Sequence, residues 1–158
     1  MSASKTFALV KPIWNKLYTL SDVLKFIESR GFVIKEMRLR RLLPEDVDIF
    51  YEEHVGKSFY EAMRTYMCSG PVVGMLLSAR PRPSGKDAIA CWRSSLGATD
   101  SAKAAPGTLR EGYGNKTGIM FQNVAHGSDS PEAAIREAGL WGWTLDAADK
   151  EKSSTTPP

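Results

Sequence analysis

Two short stretches, Thr6 to Val10 and Val72 to Leu77, constrain this chain most. Both are nearly unbroken apolar runs, the pattern of strands buried on both faces. Such strands need helices to cover them, and the intervening sequence supplies helices. Leu20, Val23, Leu24 and Ile27 recur at helical spacing and the stripe is closed by Gly31. Phe32 to Leu39 interleaves apolar and charged residues, which predicts a strand with one solvent face. Pro44-Glu45-Asp46 opens a helix with proline in the first turn and acids at its positive end; Val47, Phe50, Tyr51 and His54 then share a face up to Gly56.

A further helix carries Phe59, Met63, Tyr66 and Met67 and stops at Ser69-Gly70-Pro71. Arg80 to Gly85 is too rich in proline for a helix or central strand and reads as an exposed loop. Lys86 to Leu96 is helical, with Ile89, Trp92 and Leu96 inward, and Gly97 to Gly118 is a long loop. Met120 to Ala125 predicts the last strand, and Ser130-Pro131-Glu132 opens a helix through Leu140. The order β-α-β-α-α-β-α-loop-β-α points to an α+β fold with a ferredoxin-like, four-stranded antiparallel sheet and helices packed on it. One domain is expected over residues 1–145, followed by a polar, disordered tail over 146–158.

Charge and cysteine usage narrow the function classes. Lys and Arg total 21 against 18 Asp and Glu, a net +3 that suits anionic ligands and falls short of a nucleic-acid-binding balance. The excess sits in residues 1–41, with nine Lys/Arg against three acids, whereas 42–66 reverses to two against six. Two cysteines, Cys68 and Cys91, read as reduced thiols of a cytoplasmic protein. A signal peptide, a membrane-spanning run and zinc-ligand spacing are not expected.

Asn123-Val124-Ala125-His126-Gly127-Ser128-Asp129-Ser130 is the stretch richest in chemistry. It sets one of two histidines in a small polar turn just ahead of a helix. Imidazole is largely neutral and nucleophilic near pH 7, and small neighbours leave room for a bulky charged group.

Read with its surroundings, this stretch resembles the active-site signature of the nucleoside diphosphate kinases. Thr6 to Pro12 is similar to that family's opening strand, and Phe50 to His54 with Phe59-Tyr60 and Tyr66 to Val72 to its paired helices. Pro106-Gly107-Thr108-Leu109-Arg110 resembles its nucleotide loop, and Glu137 with Leu140-Trp141 continues the match. The likeness runs from about Lys5 to Trp141 in family order. It departs at Lys11-Pro12-Ile13, where an aspartate is usual after Lys-Pro, in the longer Arg80 to Gly85 connection, around Gly114-Asn115-Lys116, and after Trp141.

The resemblance implies exchange of the terminal phosphate between nucleoside triphosphates, typically ATP, and diphosphates. His126 would be the nucleophile, through Nδ1, giving ping-pong kinetics. Glu137 would orient it with Ser128 between them. Lys11, Arg93 and Arg110 would meet the phosphates, arginine doing so bidentately. Tyr51 and Thr99 would donate hydroxyls, Asn123 would reach the ribose 3′-hydroxyl, and Phe59 would stack on the base, an interaction tolerant of base identity. Magnesium would enter bridging the nucleotide phosphates, with no acidic cluster required to hold it. A homo-oligomer is implied, its number of copies open because the C-terminal segment differs. The alternative is a nucleotide-binding regulatory or scaffold module with little turnover. A sheet-based nucleic-acid binder ranks below both, since no strand carries a paired aromatic motif.

Overall fold

A computed structural model describes residues 4–12, 17–80 and 85–145. Residues 13–16, most of the stretch expected as the Arg80 to Gly85 loop and the expected 146–158 tail lie outside the described residues. Four strands form one sheet in the order β2-β3-β1-β4: β1 is Lys5–Val10, β2 Phe32–Arg41, β3 Pro71–Ala79 and β4 Ala125–Gly127. Every neighbouring pair is antiparallel. This is the expected ferredoxin-like arrangement.

The apolar runs are central because both of their faces are covered. Phe7 and Leu9 of β1 join Val72 and Leu76 of β3 in one core, with Val47, Phe50, Met63, Met67, Ala134 and Ala138. Ala8, Val10, Val73, Met75 and Leu77 point the other way, into a second core with Val23, Ile27, Trp92, Leu96 and Leu109. The helices behind these residues are α1 Leu20–Ser29 and α4 Ala88–Leu96 on the second face, and α2 Pro44–Phe50, α3 Tyr60–Cys68 and α6 Pro131–Gly139 on the first. Gly74 admits the ring of Trp141: a Cβ there would fall 2.6 Å from it.

Helix boundaries follow their caps. Thr19 and Asp22 form a reciprocal capping box on α1, Asp87 caps α4, and Ser130 caps α6 ahead of Pro131. The helix expected to continue to Gly56 stops at Phe50. Tyr51 leaves the helical region (φ −115°, ψ 35°) and a 3-10 turn takes Glu52–His54. The expected loop after Gly97 contains its own helix, α5 Leu109–Tyr113, capped by the Thr108 hydroxyl.

Two strands differ from expectation. β2 runs on to Arg41, and residues 35–39 are exposed throughout instead of alternating, because it is an edge strand paired to β3 alone and slips register between Ile34 and Glu36. The last strand is not Met120 to Ala125 but Ala125–Gly127. Gly118 at φ +94° and Val124 at φ +76° bend the chain out of extension before it reaches β1.

Candidate active site

His126 lies mid-way along β4, opposite Leu9 of β1. The backbone that delivers it is strained. Val124, a β-branched residue, sits at φ +76°, and the Ala125 N–H closes a three-residue turn on the Asn123 carbonyl at 2.9 Å. Such a conformation costs about 1–3 kcal/mol and persists where its surroundings hold it. Here the Val124 carbonyl accepts the Lys11 N–H at 2.9 Å, and the Trp92 indole N–H donates to the His126 carbonyl at 3.3 Å. The Trp92 ring also covers Gly127, where a Cβ would fall 2.5 Å from it.

The imidazole is fixed from behind. Its Nε2 stands 3.0 Å from Oε2 of Glu137, one helical face into α6, and the buried Ser128 hydroxyl donates to the same oxygen. An oxygen that accepts from both groups places the ring proton on Nε2. Among the described residues none bonds Nδ1, whose lone pair belongs to a residue that lines a large cleft. The edge of Phe50, 4.8 Å away between ring centres, and Tyr51 at 5.7 Å pack against the ring.

The cleft has a volume of about 1000 Å³. Of the residues singled out in the sequence, Lys11, Tyr51, Phe59, Arg93, Thr99, Arg110, Asn123, His126 and Glu137 all line it; Ser128 lies behind, against Glu137. Three cations, Lys11, Arg93 and Arg110, stand on its walls beside the carboxylates of Glu53, Asp129 and Glu137. Lys11 is buried, its Nζ donating to the Phe121 carbonyl at 2.8 Å. Burial, and then the charge of Arg110, hold its ammonium well below the usual lysine range. Arg110, on α5, is clamped by three carbonyls: Nε on Asn123 at 3.2 Å and the two terminal nitrogens on Gly97 at 3.0 Å and Ala125 at 2.8 Å. Burial pushes it down to about 10, still charged at neutral pH. Three of its five N–H groups are engaged, so two remain for an anion. Arg93, in the last turn of α4, is exposed on the cleft.

Two buried polar atoms of cleft residues have no partner among the described residues: the Tyr51 hydroxyl and Oδ1 of Asn123. Asn123 spends its Nδ2 on the Thr99 carbonyl at 2.9 Å. Leaving such groups unmet costs about 1–3 kcal/mol each, the cost of a site shaped for a polar ligand. Burial also raises the Tyr51 hydroxyl well above its ordinary value, so it is a neutral donor. Phe59 is not on the core stripe of α3. It stands at the helix's first boundary, 41% exposed at the cleft mouth, with its edge toward His54.

Several lining residues escaped the sequence reading. Glu53, Asp129, Ile119, Met120 and Phe121 line the same cleft. Met120 and Phe121 were hidden by the expectation of a strand there. His54, read as structural, also lines the cleft; burial and Lys57, whose Nζ lies 3.1 Å from its Nδ1, hold its pKa below the usual value.

The likeness to known proteins agrees with this geometry. A family model for nucleoside diphosphate kinase matches residues 4–143. The nucleoside diphosphate kinase of Streptococcus pneumoniae (strain Hungary19A-6) is 42% identical over 141 residues, covering 87% of this chain and 98% of its own. That of Exiguobacterium sibiricum is 38% identical over 137 residues, covering 87% and 93%. Among solved structures, the nucleoside diphosphate kinase of Halobacterium salinarum in complex with CDP superposes with a TM-score of 0.77 at 30% identity, over 94% of this chain and 95% of that one. With a family model matched over most of its length, relatives 38–42% identical over nearly their whole chains and the same fold in solved members, the chain belongs to the nucleoside diphosphate kinase family, and its activity is that of a nucleoside-diphosphate kinase.

Proposed function

We propose that the cleft moves the terminal phosphate of ATP, or another nucleoside triphosphate, onto a nucleoside diphosphate in two displacements through His126. The observation that carries this is the imidazole held at Nε2 by Glu137, in a cleft that Lys11, Arg93 and Arg110 also line. In the first displacement the Nδ1 lone pair attacks the γ-phosphorus. The N–P bond forms as the bond to the bridging oxygen breaks, and the diphosphate leaves with that electron pair. In the second, a terminal oxygen of another nucleoside diphosphate attacks the same phosphorus, and the N–P electrons return to Nδ1. Phosphoryl transfer asks a protein mainly for position and charge neutralisation. Glu137 and Ser128 hold the ring in line; Lys11, Arg93 and the two free N–H groups of Arg110 neutralise the phosphate oxygens. Tyr51, Thr99 and Asn123 meet phosphate and ribose hydroxyl groups, and Phe59 stacks on the base.

Magnesium belongs to the substrate in this reading, bound through the nucleotide phosphates. Of the carboxylates that line the cleft, Glu137 is engaged by His126 and Ser128, and Glu53 and Asp129 stand with three cations. When bound, the ion adds charge neutralisation at the phosphate oxygens. One domain over residues 1–145, a cytoplasmic setting in keeping with the free Cys68 and Cys91, and assembly with copies of itself complete the proposal. The last is supported by the exposed Val33, Met37 and Leu39 along the β2 edge, and light scattering checks it.

Incubation with γ-labelled ATP tests the mechanism. The expected product is an acid-labile, base-stable label that passes to added diphosphate and is missing in His126→Ala. An unlabelled wild type, or a labelled His126→Ala, contradicts it.

A further inference from the structure

Between α5 and β4, residues 114–122 carry neither helix nor strand, and Lys116 to Met120 are exposed. One residue nonetheless ties this loop at both its neck and its crown. The Asn115 N–H donates to the Gln122 carbonyl at 2.8 Å, and its Nδ2 donates to Oε1 of Gln122, also at 2.8 Å. Its Oδ1 accepts from the Thr117 N–H at 2.7 Å and from the Thr117 hydroxyl. Gln122 in turn donates its N–H to the Ile119 carbonyl at 3.1 Å.

Neither Asn115 nor Gln122 lines the cleft, but the residues they bracket do. Gly118, Ile119, Met120 and Phe121 form part of its wall, and the Phe121 carbonyl is the acceptor for the buried Lys11 ammonium. The side-chain amide pair thus adds to the backbone bonds that close the loop holding this apolar wall and the Lys11 anchor.

We propose that Asn115 and Gln122 are positioning residues for the transfer reaction: their paired side-chain amides latch the loop, which sets Lys11 and the Ile119–Met120 wall together. This rests on the reading of the cleft given above, in which Lys11 meets the transferred phosphate. The latch works because a donor faces an acceptor across 2.8 Å. Changing Asn115 to Asp leaves Gln122 free to turn its amide and donate. Changing Gln122 to Glu keeps the Oε1 acceptor. Both changes together set two carboxylates against each other and open the loop.

The test is a double-mutant cycle on the full chain with N115D, Q122E and the double variant. Nucleotide KM, the rate of His126 labelling at saturating γ-labelled ATP, and Tm are measured for each. The expected result is strong non-additivity. Each single variant changes KM by no more than about threefold, while the double variant raises it about tenfold or more and also slows labelling, because wall and lysine move together. A double variant whose KM and labelling rate equal the product of the singles overturns the proposal. Should the double variant not fold, Gln122→Ala decides: a KM raised several-fold at wild-type Tm supports the latch, and a wild-type KM overturns it. Label on His126→Ala would instead defeat the underlying reading and leave the latch data to be judged by KM alone.

Discussion

The floor of the cleft and its rim are built on opposite principles. The floor, β4 with α6 behind it, is buried and over-determined: a strained turn at Val124, an indole on the His126 carbonyl, and a carboxyl and hydroxyl converging on Nε2. The rim is exposed and apolar, with Phe59 at 41%, Ile119 at 39% and Met120 at 50% exposure. A reacting atom has to be held to within fractions of an ångström, which only packed neighbours can do. A base that varies from substrate to substrate is better met by open, non-directional surface. In the proposed reaction this contrast would make the site exacting about phosphorus and lenient about the nucleoside.

Breaking the floor should cost most. His126→Ala is expected to lower turnover by more than about a thousandfold, since no other group is placed to take the phosphate. Glu137→Gln keeps the shape but weakens the hold on Nε2. A hydrogen bond to a charged group is worth about 1.5–3 kcal/mol, so kcat should fall roughly 10- to 100-fold with little change in KM. Steady-state assays of both variants check these values, and a rise confined to KM in Glu137→Gln would move Glu137 from the floor to the rim.

Breaking the rim should look different. Phe59→Ala removes stacking worth about 1–3 kcal/mol, so KM should rise about tenfold for adenine, guanine, cytosine and uracil nucleotides alike, with kcat nearly intact. A loss confined to one base would show that the rim reads base identity. Gly127→Ala sharpens the comparison from the packing side: its Cβ meets Trp92 at 2.5 Å, and overpacking of this kind costs about 1–3 kcal/mol, visible as a lowered Tm.

The smallest effect concerns Lys11, where floor and rim meet. Burial and Arg110 hold its pKa well below 10.5. Between that lowered value and 10.5 the unfolded chain binds the extra proton, so stability rises with pH across this window. A bound phosphate favours the charged form, so nucleotide binding takes up a fraction of a proton and weakens as pH rises through the lowered value. Calorimetry in buffers of different ionisation enthalpy measures that uptake, and Lys11→Met should abolish it.

The sequence made the floor legible and the rim less so. Apolar runs marked the strands covered on both faces, caps marked the helix starts, and the Asn123 to Ser130 stretch marked the histidine together with its supports. These features are local, carried by residues whose type alone restricts what they can do. The one-sided exposure expected of β2 and the strand expected from Met120 were misread because their form depends on partners distant in sequence or on glycine and asparagine turn chemistry that breaks a run of apolar residues. Met120 and Phe121 look like strand residues until Gly118 and Val124 bend the chain. The role of Phe59 was also ambiguous in sequence: its spacing suits a core stripe, and only its place at the very start of α3 exposes it.

The central claim is that Nε2 is held and Nδ1 reacts. Protein labelled with ¹⁵N in its two histidines and phosphorylated by ATP, followed by ¹⁵N and ³¹P NMR, tests it most directly. The account predicts a single phosphohistidine, at His126, with the phosphorus coupled to Nδ1 and the proton retained on Nε2. Phosphorus on Nε2, or on His54, would contradict it.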